Sequence, residues 1–166
     1  ILDMWIRYQP CKEFGIQFGQ YKNPVTFEAS ISPSKYDFID FSYAVQNLAK
    51  MGKNDVAGLD VTARDIGFQF FGGFVHRDGY SIINYNVGVF NGSGINVRDN
   101  NMSKDFIARL IIKPFKGFAV TGSYMYAETN YGDAKYMKSP RWAVGALYDS
   151  RHWIARSEYA EADFGG

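Results

Sequence analysis

The segment from Asp105 to Glu128 shows most clearly how apolar and polar positions alternate in this chain. Two strand-like stretches in it flank a tight turn at Pro114-Phe115-Lys116-Gly117. Successive side chains of a strand point to opposite faces, so this hairpin presents one apolar face and one polar face. The apolar face carries Phe106, Ala108, Leu110, Ile112, Phe118, Val120, Tyr124 and Tyr126.

The same alternation recurs along the chain and predicts about eight strands. They are Ile1 to Tyr8, Phe14 to Lys22, Arg64 to Phe74, Tyr80 to Phe90, the two strands of the Asp105 to Glu128 hairpin, Arg141 to Asp149 and His152 to Glu161. Short turns are predicted near Pro10, Asp78, Lys116 and Ser150. Long connections are predicted from Asn23 to Ala63, from Asn91 to Ser103 and from Thr129 to Pro140.

Alternation of short and long connections is typical of outer-membrane barrels, which have short periplasmic turns and longer external loops. The apolar face also favours a barrel, because lipid would cover it. We therefore predict an all-β fold, a transmembrane antiparallel up-and-down β-barrel, with residues 1–166 forming part of a single barrel domain. In the connection 23–63, residues Lys35 to Met51 show near-helical spacing of apolar positions, which predicts a short helix. A connection of this length is uncommon without a role, so we expect a constriction loop.

Composition narrows the possible classes of protein. Aromatic residues make up 17% of the chain, with 12 Tyr and 14 Phe, which suits the aromatic girdles of a membrane barrel. The formal net charge of +1 predicts no strong attraction for nucleic acid. No apolar run approaches the roughly 20 residues of a membrane-spanning helix. The single Cys11 excludes a disulfide within the chain. Both ends fall in or just past a strand-like segment, so we expect a section of a longer protein.

Four segments in order carry a resemblance to a known family. They are Phe18 to Pro24 (FGQYKNP), Arg64 to Gly67 (RDIG), Tyr85 to Gly94 (YNVGVFNGSG) and Lys104 to Leu110 (KDFIARL). In this respect the chain resembles the phosphate-selective porin O and P family. The resemblance implies a sixteen-stranded barrel that assembles as a homotrimer, of which this chain supplies about eight strands. It also implies a passive pore for small anionic solutes such as phosphate, lined by basic residues.

The chain departs from the family pattern at one element. Where the family commonly has Glu-Arg-Ser, this chain has Asp40-Phe41-Ser42 and so lacks the Arg. The resemblance therefore supports a pore more strongly than it supports selectivity for phosphate.

Basic residues on the polar face and in the long connection are the candidate pore-lining, anion-binding residues. Arginine suits phosphate because its planar guanidinium can bind two oxygens at once. The candidates are Arg7, Lys35, Arg64, Arg109, Lys113, Arg141 and Arg156, with Lys50 and Lys53 as further loop positions. The alternative is that these charges pair with acidic residues of the same face and stabilise the sheet. Those acidic residues are Asp3, Asp65, Asp105, Asp149 and Glu158.

The pattern of residues along the chain gives little support to an enzymatic function. His76 and His152 both lie at predicted short turns, away from any predicted nucleophile, and no catalytic triad, metal site or cofactor site is predicted. The favoured function is a porin of the bacterial outer membrane that lets small anions diffuse through it. Its expected partners are outer-membrane lipids, the solutes and further copies of itself. A soluble β-sandwich binding module and a non-conducting structural barrel remain the alternatives.

Overall fold

Eight strands form one open antiparallel sheet in which neighbours along the chain are neighbours in the sheet. The computed structural model describes residues 3–30, 42–48, 63–96, 103–131 and 135–163. The sheet strands, in order, are β1 (Met4–Tyr8), β2 (Gly15–Lys22), β3 (Arg64–Arg77), β4 (Tyr80–Phe90), β5 (Asp105–Ile112), β6 (Phe118–Tyr126), β9 (Arg141–Asp149) and β10 (Ile154–Ala162). The prediction of an all-β fold with eight up-and-down strands is thus confirmed.

The connections alternate between short and long, as predicted. The shortest joins β3 to β4 through Asp78 and Gly79, whose φ angles of 48° and 84° lie in the left-handed region. An Asp-Gly pair favours this type of two-residue turn because both positions need positive φ. The register of β3 and β4 is the same from the pair Gly67 and Phe90 to the pair Arg77 and Tyr80, with an interruption at Val75, whose φ is 56°.

Two of the long connections contain secondary structure of their own. The first carries two short helices, α1 (Phe27–Ser30) and α2 (Tyr43–Leu48), and α2 lies inside the range where a helix was predicted. The third was predicted as a long polar connection, and secondary structure within it was not predicted. It holds a separate antiparallel hairpin made by β7 (Glu128–Tyr131) and β8 (Lys135–Lys138). Its sequence is mostly polar and shows no regular apolar alternation.

The distribution of burial over the sheet is the reverse of that in an ordinary soluble sheet. On β5, the apolar-face side chains Phe106 and Leu110 are 42% and 45% exposed. The polar-face side chains Asp105 and Arg109 of the same strand are 2% and 6% exposed. Exposed large apolar residues occur on all eight strands of the sheet or at their ends. We call these two surfaces the apolar face and the polar face.

A small apolar core nevertheless lies on the polar face, toward the long connections. Its buried members are Tyr21, Val25, Phe90, Ile107, Met125 and Ala127. The rings of Tyr21 and Phe90 meet edge to face, with centroids 5.5 Å apart. The surface named the polar face therefore carries apolar side chains at one end, where the described start of the first long connection packs against the sheet. The alternation alone did not show this, because Ile107 and Met125 sit among polar neighbours.

Glycine on the polar face makes room for this core. A Cβ atom built on Gly67 would overlap the ring of Phe90, which lies over the glycine from the neighbouring strand. Gly122, on the apolar face of β6, has no atom within 4 Å of the corresponding position. A methyl group would thus meet a ring at Gly67 and open space at Gly122.

Gly67→Ala should destabilise the fold, because overpacking a filled site typically costs about 1–3 kcal/mol. Gly122→Ala is the matched control and should leave stability unchanged or slightly raised, since Ala is less flexible than Gly in the unfolded chain. Urea unfolding followed by tryptophan fluorescence would measure both. Equal unfolding free energies for the two variants would contradict this packing.

Candidate functional site

The first long connection is anchored on the polar face of β5, β6, β9 and β10. Its backbone N–H at Asn23 donates to the carbonyl of Ala63 at 2.7 Å, which closes the base of the connection. The hydroxyl of Ser123 on β6 donates to the carbonyl of Val25. Thr26 caps α1, accepting the N–H of Ala29 at 3.1 Å. The described parts of the connection therefore lie against the sheet, on the face where the candidate basic residues were predicted.

Arg109 is one of the anchors of this connection. Its Nε donates to Oγ1 of Thr121 at 3.1 Å on the neighbouring strand, and its Nη1 donates to Oγ of Ser30 at 2.7 Å at the end of α1. Its guanidinium carbon lies 5.7 Å from the centre of the Phe27 ring, within the range of a cation–π contact. Because the side chain is buried under α1, Arg109 holds the connection and does not present its charge to solvent.

Glu158 on β10 holds the start of α1. Its Oε1 accepts the backbone N–H of Phe27 at 2.6 Å, and its Oε2 lies 3.4 Å from the N–H of Glu28. The first N–H groups of a helix have no partner within the helix, and a carboxylate is well suited to satisfy them. On the same strand, the guanidinium carbon of Arg156 lies 6.0 Å from the Phe27 ring, and Arg156 remains exposed.

The second helix is fixed at both of its ends. At its start, the carboxylate of Glu28 accepts the N–H of Ser42 at 2.9 Å and its hydroxyl hydrogen at 2.6 Å. At its end, Nη1 of Arg141 donates to the carbonyl of Leu48 at 2.9 Å. A cation at a helix C-terminus also interacts favourably with the helix dipole. Arg141, only 1% exposed, is thus a second arginine that holds the connection.

The other predicted pore-lining residues are distributed over the rest of the sheet. Arg7 donates from Nη2 to Oε1 of Gln17 at 2.6 Å and lies over the ring of Phe71. Arg64 forms an ion pair with Asp3, with Nε and Oδ1 3.0 Å apart, as the alternative interpretation predicted. Lys113 follows β5 at the short-turn end. Lys35, Lys50 and Lys53 lie outside the described residues.

Two acidic residues of the polar face, Asp65 and Glu158, bind backbone N–H groups. Asp65 accepts the N–H of Gly92 at 2.5 Å and the N–H of Ile66 at 2.7 Å, which fixes the start of the second long connection. Gln20 and Asn96 exchange two hydrogen bonds nearby. Asp65 and Glu158 thus have the same task, which is to attach a long connection to the sheet.

A separate polar cluster lies at the short-turn end of the sheet. Nε2 of His76 lies 2.9 Å from Oε1 of Glu13, and Nδ1 of His76 lies 2.8 Å from the hydroxyl of Ser81. His76 was expected to lie away from any nucleophile, and the nearby hydroxyl of Ser81 contradicts that expectation. The hydrogen bond with His76 holds the pKa of the exposed Glu13 carboxyl below its ordinary value. Tyr85 also donates to the carbonyl of Glu13 at 3.0 Å.

This cluster joins the β1–β2 turn to the β3–β4 hairpin. The backbone N–H of Gly73 donates to the carbonyl of Lys12 at 2.9 Å and adds a second link between the same two elements. An open cleft of about 230 Å³ lies beside it. Its lining consists of Lys12, His76, Arg77, Asp78, Gly79, Tyr80 and Ser81. The bonds across the two turns assign His76 a structural role at this rim.

Within the described ranges, no group of three or more His, Cys, Asp or Glu side chains lies close enough together to hold a metal ion. Among the helices that the structure describes, none is long and apolar enough to cross a membrane. Comparison with known proteins found no match among family models, curated proteins or solved structures.

Only some of the residues that hold the first long connection could be identified from the sequence. Glu158 entered the sequence analysis as a charge partner for arginine, and its bond to the backbone of Phe27 was not expected. Ser30 and Phe27 gave no signal at all, because their contacts with Arg109 join residues about 80 positions apart in the chain.

Arg109→Met should lower the unfolding free energy by about 1–3 kcal/mol, because the hydroxyls of Thr121 and Ser30 lose a charged donor. Met keeps most of the apolar stem, so the change reports on the guanidinium. Arg151→Met, at an exposed short-turn position, is the matched control and should be neutral. Urea unfolding of both variants would measure the difference, and an unchanged value for Arg109→Met would contradict its role as an anchor.

Proposed function

We propose that this chain forms part of a β-barrel porin in a bacterial outer membrane, through which small anionic solutes diffuse down their gradient. The observation that carries the proposal is the reversed burial of the sheet, with Phe106 and Leu110 exposed and Asp105 and Arg109 buried. Monomeric soluble proteins rarely leave a large continuous apolar surface uncovered. In a membrane barrel the hydrocarbon of the lipid covers that surface.

The placement of aromatic side chains supports the same proposal. Tyr8 and Trp153 are exposed at the short-turn end of the sheet, and Phe115 lies in the β5–β6 turn at the same end. Trp142 and Tyr159 meet toward the other end, with ring centroids 5.4 Å apart. Amphipathic rings prefer the interface between lipid and water, and barrels carry them in girdles at both interfaces.

The basic residue best placed to meet a solute is Arg156. Arg109 and Arg141 are covered by the first long connection, and Arg64 pairs with Asp3. Arg156 lies on the polar face, beside α1, and remains exposed. Charged side chains that line a narrow passage set its ion preference. Phosphate-like solutes and a homotrimer rest on the family resemblance alone.

One observation favours a second candidate, a barrel that does not conduct. The described parts of the first long connection lie against the polar face and bury two of the predicted pore-lining arginines, as a plug would do. A soluble β-sandwich would instead need a second protein layer over the apolar face. These three possibilities make different experimental predictions.

The full chain should require detergent, and its band on a denaturing gel should shift when the sample is boiled. A closed barrel resists unfolding by detergent at room temperature and migrates differently once heated. In planar lipid bilayers it should add discrete conductance steps. A detergent-free soluble monomer would reject the membrane barrel, and an inserted barrel without conductance would favour the plugged form.

Arg156→Glu should lower the preference for anions several-fold, because a unit charge about 4 Å from an ion contributes about 1 kcal/mol even in water. The measurement is the reversal potential across a bilayer with a KCl gradient. Arg151→Glu makes the same charge change at an exposed short-turn position and should leave the reversal potential near the wild-type value. If both variants match the wild type, Arg156 does not face the passage.

A further inference from the structure

A continuous series of contacts runs from β10 through both helices of the first long connection to β9. Glu158 holds the start of α1 through Phe27, and Glu28 of α1 holds the start of α2 through Ser42. The end of α2 is held by Arg141 at Leu48. The carboxylate of Glu158 is the first link in this series and the one that reaches α1 from the edge strand of the sheet.

We propose that Glu158 is a positioning residue that holds the described parts of the first long connection, 23–30 and 42–48, against the polar face and thereby fixes the width of the passage. The inference rests on the proposed function as far as the passage is concerned. The holding of the connection itself is a property of the fold. Glu158 acts through Phe27 and Glu28, and its role requires no contact with solute.

The short length of α1 explains why an external carboxylate matters. A helix of one turn is not stable in isolation, because nucleation fixes several residues for a single internal hydrogen bond. Thr26 satisfies only the N–H of Ala29, and the N–H groups of Phe27 and Glu28 both point to Glu158. Removing the carboxylate therefore takes away the partner of two donors at once.

The side chain of Phe27 adds contacts that help to fix where α1 lies on the sheet. Its ring lies 5.7 Å from the guanidinium carbon of Arg109 and 6.0 Å from that of Arg156. The backbone of this residue is thus held by an anion, and its ring is held by two cations. A shift of α1 away from β10 would break the contacts with Glu158 and Arg156 together, and the contact with Arg109 of β5 limits movement in the other direction.

Release of α1 should also loosen α2. Glu28 can hold Ser42 in place only while α1 itself is fixed, because its carboxylate is carried by α1. Without Glu158, contacts such as the bond from Ser123 to Val25, the bond from Arg109 to Ser30 and the bond from Arg141 to Leu48 would remain. The connection would then remain tethered but would be able to move.

Trypsin digestion of the folded, detergent-solubilised chain tests this directly. Trypsin cuts after Lys and Arg, and the connection contains Lys35, Lys50 and Lys53. We expect Glu158→Ala to be cut within the connection several-fold faster than the wild type, with fragments identified by mass spectrometry. Cleavage at the short turns, after Lys116 and Arg151, should keep its wild-type rate, because Glu158 does not hold these turns. Faster cleavage there as well would indicate a general loss of stability instead.

Two further variants sharpen the test. Glu158→Gln keeps one oxygen that can accept the N–H of Phe27, so its cleavage rate should lie between those of the wild type and Glu158→Ala. Glu161→Ala removes an exposed carboxylate from the same strand, where it accepts a hydrogen bond from Tyr159, and should behave as the wild type. In bilayers, Glu158→Ala should show more frequent current fluctuations within an open channel.

The rate of tryptic cleavage and the bilayer conductance together separate this inference from the proposed function. Faster cleavage in a barrel that does not conduct would support the role of Glu158 and reject the porin. Wild-type cleavage of Glu158→Ala would overturn the role of Glu158, whatever the conductance. If Glu158→Ala does not fold, Glu158→Gln decides: cleavage faster than the wild type within the connection supports the inference, and an unchanged rate overturns it.

Discussion

The exposed apolar face of the sheet is the constraint on which the other features depend. A strand whose alternate positions carry Phe, Leu and Val must bury that side, or the sheet is not stable as a monomer in water. Here α1 and α2 pack on the opposite face, where Glu158 and Arg109 hold α1. The apolar face is left for another apolar medium, and lipid hydrocarbon is the one that needs no specific packing partner.

Once the apolar face is turned outward, the polar face has to satisfy its charges internally. A buried charge without a hydrogen-bond partner is strongly unfavourable. Arg109 meets this requirement with Thr121 and Ser30, and Asp65 meets it with backbone N–H groups. The same bonds attach the long connections to the sheet, so satisfying the buried charges and positioning the connections are one arrangement.

The two ends of the sheet are held by different means. At the short-turn end, hydrogen bonds among Glu13, His76 and Ser81 join neighbouring turns at the surface. At the other end, an apolar core that includes Tyr21 and Phe90 lies beneath the connections. Short turns need little support because the strands fix them. The longer connections need a core and several anchors to keep a defined position.

Local alternation determined much of this architecture from the sequence alone. A period of two specifies strands and their faces, and short turns make successive strands antiparallel neighbours, so the eight-stranded sheet was predictable. The roles of the basic residues were not. Arg109 and Arg156 share the polar face, yet α1 covers the first and leaves the second exposed. Which residues α1 covers depends on contacts between positions about 80 to 130 apart, such as Arg109 with Ser30 and Phe27 with Glu158. No local pattern encodes such contacts, because they exist only after the sheet has brought distant segments together.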